Sequence, residues 1–215
     1  MVIDTVGGAM VYRDNYDREV IKEVIDDQEY FRWGDITIKP GDTVIDCGAH
    51  IGAFTRLALL KGAHVLAIEP HSDNFRYLMA NTTGAKNLKL VQAILYDGNQ
   101  VLFRTDPDRN ELHKVIAYSD PSENTHRSVR LDELVDKFGI TRIDLLKMDI
   151  EGSEYEVLYN LDCLDIVEQI TMEWHYGSSN LAKLIIFLEE RGLNVVWLGG
   201  NGQWGKLQCK RGRLA

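Results

Sequence analysis

Cysteine is sparse in this chain: there are three in 215 residues, and Cys47, Cys163 and Cys209 form no C-x-x-C pair. An odd, dispersed set excludes a disulfide framework and a zinc cluster and suits a reducing compartment, with Cys47 and Cys163 expected as small buried apolar residues. No apolar run approaches the ~18 residues of a membrane span, and Met1 to Met10 carries Asp4 with no basic-then-apolar pattern. The expectation is a soluble, cytoplasmic protein with no membrane partner. Positive charge is also short, with 24 Lys and Arg against 33 Asp and Glu for a formal net charge of -9. Such a chain has no general attraction for phosphate backbones, and no nucleic-acid partner is expected. Its one dense basic cluster, Lys206, Lys210, Arg211 and Arg213, reads as a solvated C-terminal tail. Hydrophobic residues make up 45% of the chain, ample for one core.

One glycine is missing where a dinucleotide site needs it. In Thr43-Val44-Ile45-Asp46-Cys47-Gly48-Ala49-His50-Ile51-Gly52 an apolar strand runs into a glycine turn and then a helix with Ala53, Phe54, Leu57 and Ala58 on its apolar face. That is how α/β proteins build nucleotide-type sites. His50 stands at the middle glycine of G-x-G-x-x-G, so a pyrophosphate is not the obvious guest. The next strand, His64 to Ile68, ends on Glu69, 21 positions after Gly48 (69 minus 48), where an acidic side chain can hold both hydroxyls of a ribose. S-adenosylmethionine has a ribose and an adenine but no phosphate, and its amino-acid end can sit against such a turn.

Around this motif the pattern alternates. Val20, Ile21, Val24 and Ile25 predict an amphipathic helix over about 17–26, ahead of the core and positioned to cover the pocket. Ser72 can cap a helix facing the sheet with Phe75, Leu78 and Met79, and Leu88 to Val91 reads as a third strand. Strand and helix in alternation predict a parallel sheet with right-handed crossovers. Between Ala93 and Arg142 the beat breaks. Val101-Leu102-Phe103, Val115-Ile116-Ala117-Tyr118 and Ser128-Val129-Arg130 read as short strands between turns such as Asp106-Pro107-Asp108 and Ser119-Asp120-Pro121-Ser122. The expectation is one domain over 1–215, with an N-terminal helical cover over 1–40 and an inserted antiparallel extension over 93–142. A helix from Leu131 to Phe138 stops at Gly139. A fourth core strand runs from Ile143 to Met148 with Asp149 at its end, and a fifth from Ile166 to Glu173. Then come a helix from Asn180 to Arg191 and two strands joined at Gly199-Gly200-Asn201-Gly202 as a hairpin. Gly200 to Lys206 satisfies G-x-x-x-x-G-K, but Leu207 stands where a phosphate loop needs Ser or Thr, and too few residues remain for the helix.

Three stretches together resemble the FkbM family of class I S-adenosylmethionine-dependent methyltransferases: Val44 to Gly52 with Phe54-Thr55, Ala67 to Ser72 with Asn74, and Leu145 to Glu154, a K-x-D-x-E-G-x-E run. Leu131 to Leu134 and Glu173-Trp174-His175 are weaker matches. His50 is a departure, since the family often has Asn there. The resemblance implies an α/β fold of the Rossmann-like class I type: a mostly parallel sheet, a C-terminal antiparallel hairpin and a β-rich insertion before the fourth core strand. It also implies that Asp46, Gly48, Ala49, His50 and Gly52 surround the methionine part of the S-adenosyl-L-methionine cofactor and that Glu69 holds the ribose. Pro70 with Gln92, Ala93 and Ile94 would lie along the adenine, and Asp149 near the amino group or reactive methyl. The acceptor it suggests is a hydroxyl of a sugar or another small metabolite, while nitrogen acceptors stay open.

Methyl transfer from a sulfonium needs alignment and, for a hydroxyl acceptor, removal of a proton. His175, Asp149 and Glu173 fall at neighbouring strand ends, where open α/β sheets bind ligands. His175 is the first choice of base, because imidazole titrates near neutral pH. Asp149 and Glu173 with His175 could instead bind a divalent cation, although no metal is expected. A nicotinamide oxidoreductase and a non-catalytic cofactor-binding module remain as alternatives.

Overall fold

A computed structural model describes residues 1–105, 113–117, 126–175 and 177–212. The hairpin β1 (Val2–Thr5) and β2 (Gly8–Val11) leads into α1 (Asn15–Ile21), which Asp14 caps by accepting the Asp17 N–H at 3.0 Å. The helix starts earlier than its apolar periodicity indicates, because Asp14 supplies the cap. It continues as a π turn over Lys22–Asp26 and is followed by a 3-10 turn, Glu29–Phe31.

The core alternates as the pattern predicts: β3 (Thr43–Cys47), α2 (Ala53–Leu60), β4 (His64–Ile68), α3 (Ser72–Asn81) and β5 (Leu88–Val91). After the insertion come α4 (Leu131–Lys137), β9 (Leu145–Met148), α5 (Glu154–Tyr159), β10 (Gln169–Trp174), α6 (Ser178–Glu190), β11 (Leu193–Gly200) and β12 (Gly205–Arg211). The inserted strands between β5 and α4 are β6 (Gln100–Thr105), β7 (His113–Ala117) and β8 (His126–Arg127).

The seven core strands lie in the order β11-β12-β10-β9-β3-β4-β5, and β12 alone runs antiparallel to its two neighbours. This is the order of a Rossmann-like class I methyltransferase sheet, with the predicted closing hairpin. Alternation along the strands splits the core into two layers. Val44, Val65, Ala67 and Leu145 pack with α1, α2 and α3, whereas Ile45, Cys47, Leu66 and Leu146 pack with α4, α5 and α6. These side chains are almost wholly buried, the Val, Leu and Ile among them each stabilising the fold by about 1.5–3 kcal/mol, so the strand ends are held on a rigid platform.

The insertion is a three-stranded antiparallel sheet, β7-β6-β8. Its third strand is at His126–Arg127, two residues before the predicted Ser128, because Val129 is instead bridged in parallel to Leu95. The turns at Asp106-Pro107-Asp108 and Ser119 to Ser122, with Tyr118, lie outside the described residues. Ser72 is the first residue of α3 and does not cap it. His71 holds the cap position, and its N–H is accepted at 2.9 Å by the Glu69 carboxylate. Three members of the basic cluster are not a solvated tail, and the fourth, Arg213, lies outside the described residues. Lys206, Lys210 and Arg211 lie on β12, and Arg211 donates to the carbonyls of Val167, Leu164 and Arg191. Cys47 and Cys209 are buried, Cys163 is half-buried, and all three are free thiols.

Candidate active site

A cleft of about 1090 Å³, open mouth included, lies at the carboxyl ends of the core strands. The turn after β3 contributes Gly48, Ala49 and His50, and β4 and its following loop contribute Ile68, Glu69 and Pro70. Ala93 and Ile94 follow β5. Asp149 and Glu151 follow β9, and Glu173 lies on β10. Tyr16, Val20 and Val24 reach it from the N-terminal helical segment.

Gly48 has φ 78°, and a Cβ there would come within 1.8 Å of the Asp149 carbonyl oxygen, so only glycine lets the β3 and β9 loops meet. Its N–H and that of Ala49 both donate to the Ile68 carbonyl at 3.0 Å. Glu69 is 3% exposed and accepts three hydrogen bonds: from the His50 N–H (2.9 Å), the His71 N–H (2.9 Å) and the Asn74 amide (3.2 Å). Burial pushes its carboxyl up to about 7, against the pull of these donors. A carboxylate has roughly four acceptor positions, so it retains capacity for ribose hydroxyls.

His50 is held from the N-terminal side. Arg13 meets it at 3.0 Å, forms a double hydrogen bond to the wholly buried Asp17 (2.7 and 2.9 Å), and donates to Asn74 at 2.6 Å. A guanidinium can only donate, so the His50 Nε2 accepts and the ring is neutral. Burial agrees, lowering the imidazole to about 4 despite Asp17 nearby.

Asp46 lies beneath the turn, not in the cleft. It is fully buried, accepts from the Thr55 hydroxyl at 2.6 Å and faces the Lys147 ammonium at 3.2 Å. Lys147 also donates to the Gly48 carbonyl at 2.7 Å, and although burial disfavours its charge, Asp46 and Asp149 keep its pKa above the ordinary value. Gly52 packs against Leu78, where a Cβ would come within 2.8 Å of its Cδ1, and the exposed Gln92 reaches the Pro70 carbonyl at 3.4 Å. Thus Gly48, Ala49, His50, Glu69, Pro70, Ala93, Ile94, Asp149 and Glu173 line the cleft, and Asp46, Gly52, Gln92 and His175 are not among its lining residues.

At the other end of the cleft, Asp149 accepts from the Tyr30 hydroxyl at 3.1 Å. His175 stands behind the lining with Nδ1 3.1 Å from the fully buried Glu154, and its Nε2 lies 3.6 Å from Glu151 and 3.8 Å from Glu173. Burial works against a charged ring, yet Glu154, Glu151 and Asp149 push it up to about 9, so at neutral pH it holds a proton instead of accepting one. Burial and the charge of Asp149 push Glu173 up to about 8, with Lys206 and His175 opposing.

The chain belongs to the FkbM methyltransferase domain family, which matches residues 46–194. It is 28% identical over 211 residues to 31-O-demethyl-FK506 methyltransferase FkbM of Streptomyces tacrolimicus, with 81% of each chain covered. It is also 30% identical over 140 residues to the hexuronic acid methyltransferase AglP of Haloferax volcanii, with 63% of this chain and 57% of that one covered. In fold it is similar to a precorrin-6y C5,15-methyltransferase from Geobacter metallireducens GS-15 (TM-score 0.54, 14% identity, 98% and 97% covered). M. jannaschii TYW2, solved in complex with AdoMet, is similar too (TM-score 0.52, 15% identity, 98% and 86% covered). S-adenosyl-L-methionine is therefore the cofactor, not a nicotinamide. The cleft fits it: Glu69 retains acceptor capacity, the glycine turn leaves open backbone, and Asp149, Glu151 and Glu173 suit a sulfonium's positive charge.

Arg13, Asp17, Tyr30 and Lys206 escape the sequence reading. Lys206 had an indirect signal: a hairpin closing onto β10 sets it opposite Glu173, where it contacts both Glu173, at 3.6 Å, and Glu29. Arg13 and Asp17 have helical i, i+4 spacing, but their target His50 is 37 residues on.

Proposed function

We propose that this protein is an O-methyltransferase acting on a hydroxyl of a sugar or another small hydroxylated metabolite. The observation that carries this reading is the division of one cleft: the ribose-type carboxylate Glu69 stands on the β4 side, and a second carboxylate group, Asp149, Glu151 and Glu173, on the β9–β10 side. The relatives point the same way, since one is named for 31-O-demethyl-FK506 and the other for hexuronic acid.

Bound in the cleft, the cofactor supplies an activated methyl on sulfur, open to in-line displacement. Asp46, Thr55 and Lys147 brace the turn from below, so that the Gly48–His50 backbone keeps its place against the cofactor's amino-acid end. Glu69 takes the ribose hydroxyls, Pro70, Ala93 and Ile94 flank the adenine, and the N-terminal helix excludes water from above. Glu173 faces the cleft and in its ionised form receives the acceptor's proton, with Lys206 opposing the burial that favours the neutral form. Asp149, oriented by Tyr30, positions the acceptor. His175 orients the carboxylates around it and takes no proton from the acceptor. The N-terminal cover and the β6–β8 insertion serve one domain as parts of the same pocket.

A panel of sugars, uronic acids, secondary alcohols and amines, read by S-adenosylhomocysteine release, tests this reading. Turnover confined to hydroxyl acceptors is expected. Turnover with amines alone would overturn it.

A further inference from the structure

We infer that Asp149, Glu151 and His175 form a site for one divalent cation of the magnesium–manganese class at the acceptor end of the cleft. The inference rests on the O-methyltransferase reading only for the use made of the cation, because the coordination geometry stands without it.

Each of the three residues offers one ligand atom, and these atoms all lie within 4.8 Å of one another. Around a cation with ligands at about 2.1 Å, neighbouring ligand atoms stand ~3 Å apart and opposite ones ~4.2 Å, so small side-chain rotations bring this trio onto one ion. The His175 Nε2 to Glu151 separation, 3.6 Å, is too long for a hydrogen bond but suits two ligands on a shared ion. The histidine is aimed from behind. Glu154 Oε1 accepts from the Ile150 N–H (3.1 Å) and the Gly152 N–H (3.2 Å) and meets His175 Nδ1 at 3.1 Å. A carboxylate behind Nδ1 keeps the proton on that nitrogen, so a cation that displaces the Nε2 proton finds Nε2 turned toward it, the usual support of a metal-bound histidine. Tyr30 plays the corresponding part for Asp149.

Two further observations point to a ligand. The other oxygen of the fully buried Glu154 has no hydrogen-bond partner among the described residues. Four carboxylates (Asp149, Glu151, Glu154 and Glu173) crowd one histidine, while Lys206 is shared between Glu173 and Glu29 and Lys147 is engaged by Asp46 and the Gly48 carbonyl. Gathering one fully buried and three half-buried carboxylates around a single histidine is unfavourable unless a cation balances them. Glu151 also adopts φ 56°, a left-handed conformation that a non-glycine residue holds only when its surroundings impose it. That conformation sets its carboxylate beside Asp149 and His175. The chemistry of the set, two carboxylates and one imidazole with open positions, suits manganese or magnesium.

Beside the cleft such a cation lowers the pKa of an acceptor hydroxyl and fixes its oxygen. The acceptor O–H gives its proton to Glu173, the oxygen's electron pair forms the bond to the methyl carbon, and the carbon–sulfur pair returns to sulfur.

Manganese titration of metal-stripped protein, followed by electron paramagnetic resonance, tests the site directly, with S-adenosylhomocysteine calorimetry on the same samples. The wild type is expected to take up one manganese ion per chain, displaced by excess magnesium. Glu151→Gln and His175→Gln should each bind manganese at least ~10-fold more weakly, and Glu154→Gln, which keeps all three ligands, about 10-fold more weakly. His175→Gln should still bind S-adenosylhomocysteine, which shows that it is folded. Failure of the wild type to bind manganese stoichiometrically, or equal binding by Glu151→Gln, overturns the inference. Cofactor binding without manganese binding defeats the cation site alone. A manganese site with no transfer to any hydroxyl defeats the O-methyltransferase reading and leaves the site standing.

Discussion

The backbone N–H of His50 donates to the side chain of Glu69 at 2.9 Å, so the turn after β3 and the end of β4 are one hydrogen-bonded unit. Cofactor affinity therefore depends on the shape of the turn as well as on the charge of the acid. Glu69→Gln leaves one acceptor oxygen where two served. S-adenosylhomocysteine binding is expected to weaken by about 1–3 kcal/mol, roughly 5- to 150-fold, with NAD not bound by either protein. Calorimetry reads both, and unchanged affinity would remove Glu69 from the site.

The same carboxyl gives a pH dependence. Its folded value of about 7 lies above the ordinary 4.5, so the folded protein binds this proton more tightly than the unfolded chain. The stability it contributes is fully present below pH 4.5 and is lost as pH rises through 7. Ribose hydroxyls prefer the ionised form, so ligand binding has the opposite slope. From pH 6 to pH 8 the ionised fraction rises from about a tenth to about nine tenths, and S-adenosylhomocysteine affinity should rise up to ~10-fold. Glu69→Gln should flatten the profile, and a persisting slope in that variant would assign it to another group.

Asp17 anchors the N-terminal cover. Burial alone would raise its carboxyl, but the hydrogen bonds and charge of Arg13 hold it below the ordinary value. Asp17→Asn leaves the Arg13 charge uncompensated beside His50, and breaking such a buried pair costs about 3–5 kcal/mol. Denaturant unfolding should show that loss, and cofactor affinity should fall with it because His50 loses its support. A variant of full stability would mean that Arg13 finds another partner.

The turn and Glu69 were legible in the sequence because both are local: a glycine turn follows a buried strand, and the acid ends the next strand. Asp46 was legible as part of the motif but not in its direction. It precedes the turn and points at Thr55 and Lys147 under it, a partnership spanning 101 residues (147 minus 46). Lys206 was misread for a related reason. A basic cluster near the end of a chain resembles a solvated tail, and only the insertion of β12 between β10 and β11 turns it toward Glu173. His175 was placed correctly at its strand end. Its titration was not legible, because the raised value comes from Glu154 and Glu151 in the β9–α5 segment. The left-handed conformations of His50 and Glu151, one beside each half of the cleft, carry no sequence signal, since neither position is a glycine.

Rapid-quench measurement of methyl transfer in Glu173→Gln, with the best hydroxyl acceptor from the panel, tests the central claim most directly. The account expects S-adenosylhomocysteine affinity to stay within about 3-fold of wild type while the transfer rate falls ~100-fold or more, the scale for losing a general base. Full turnover by Glu173→Gln with that acceptor would contradict it.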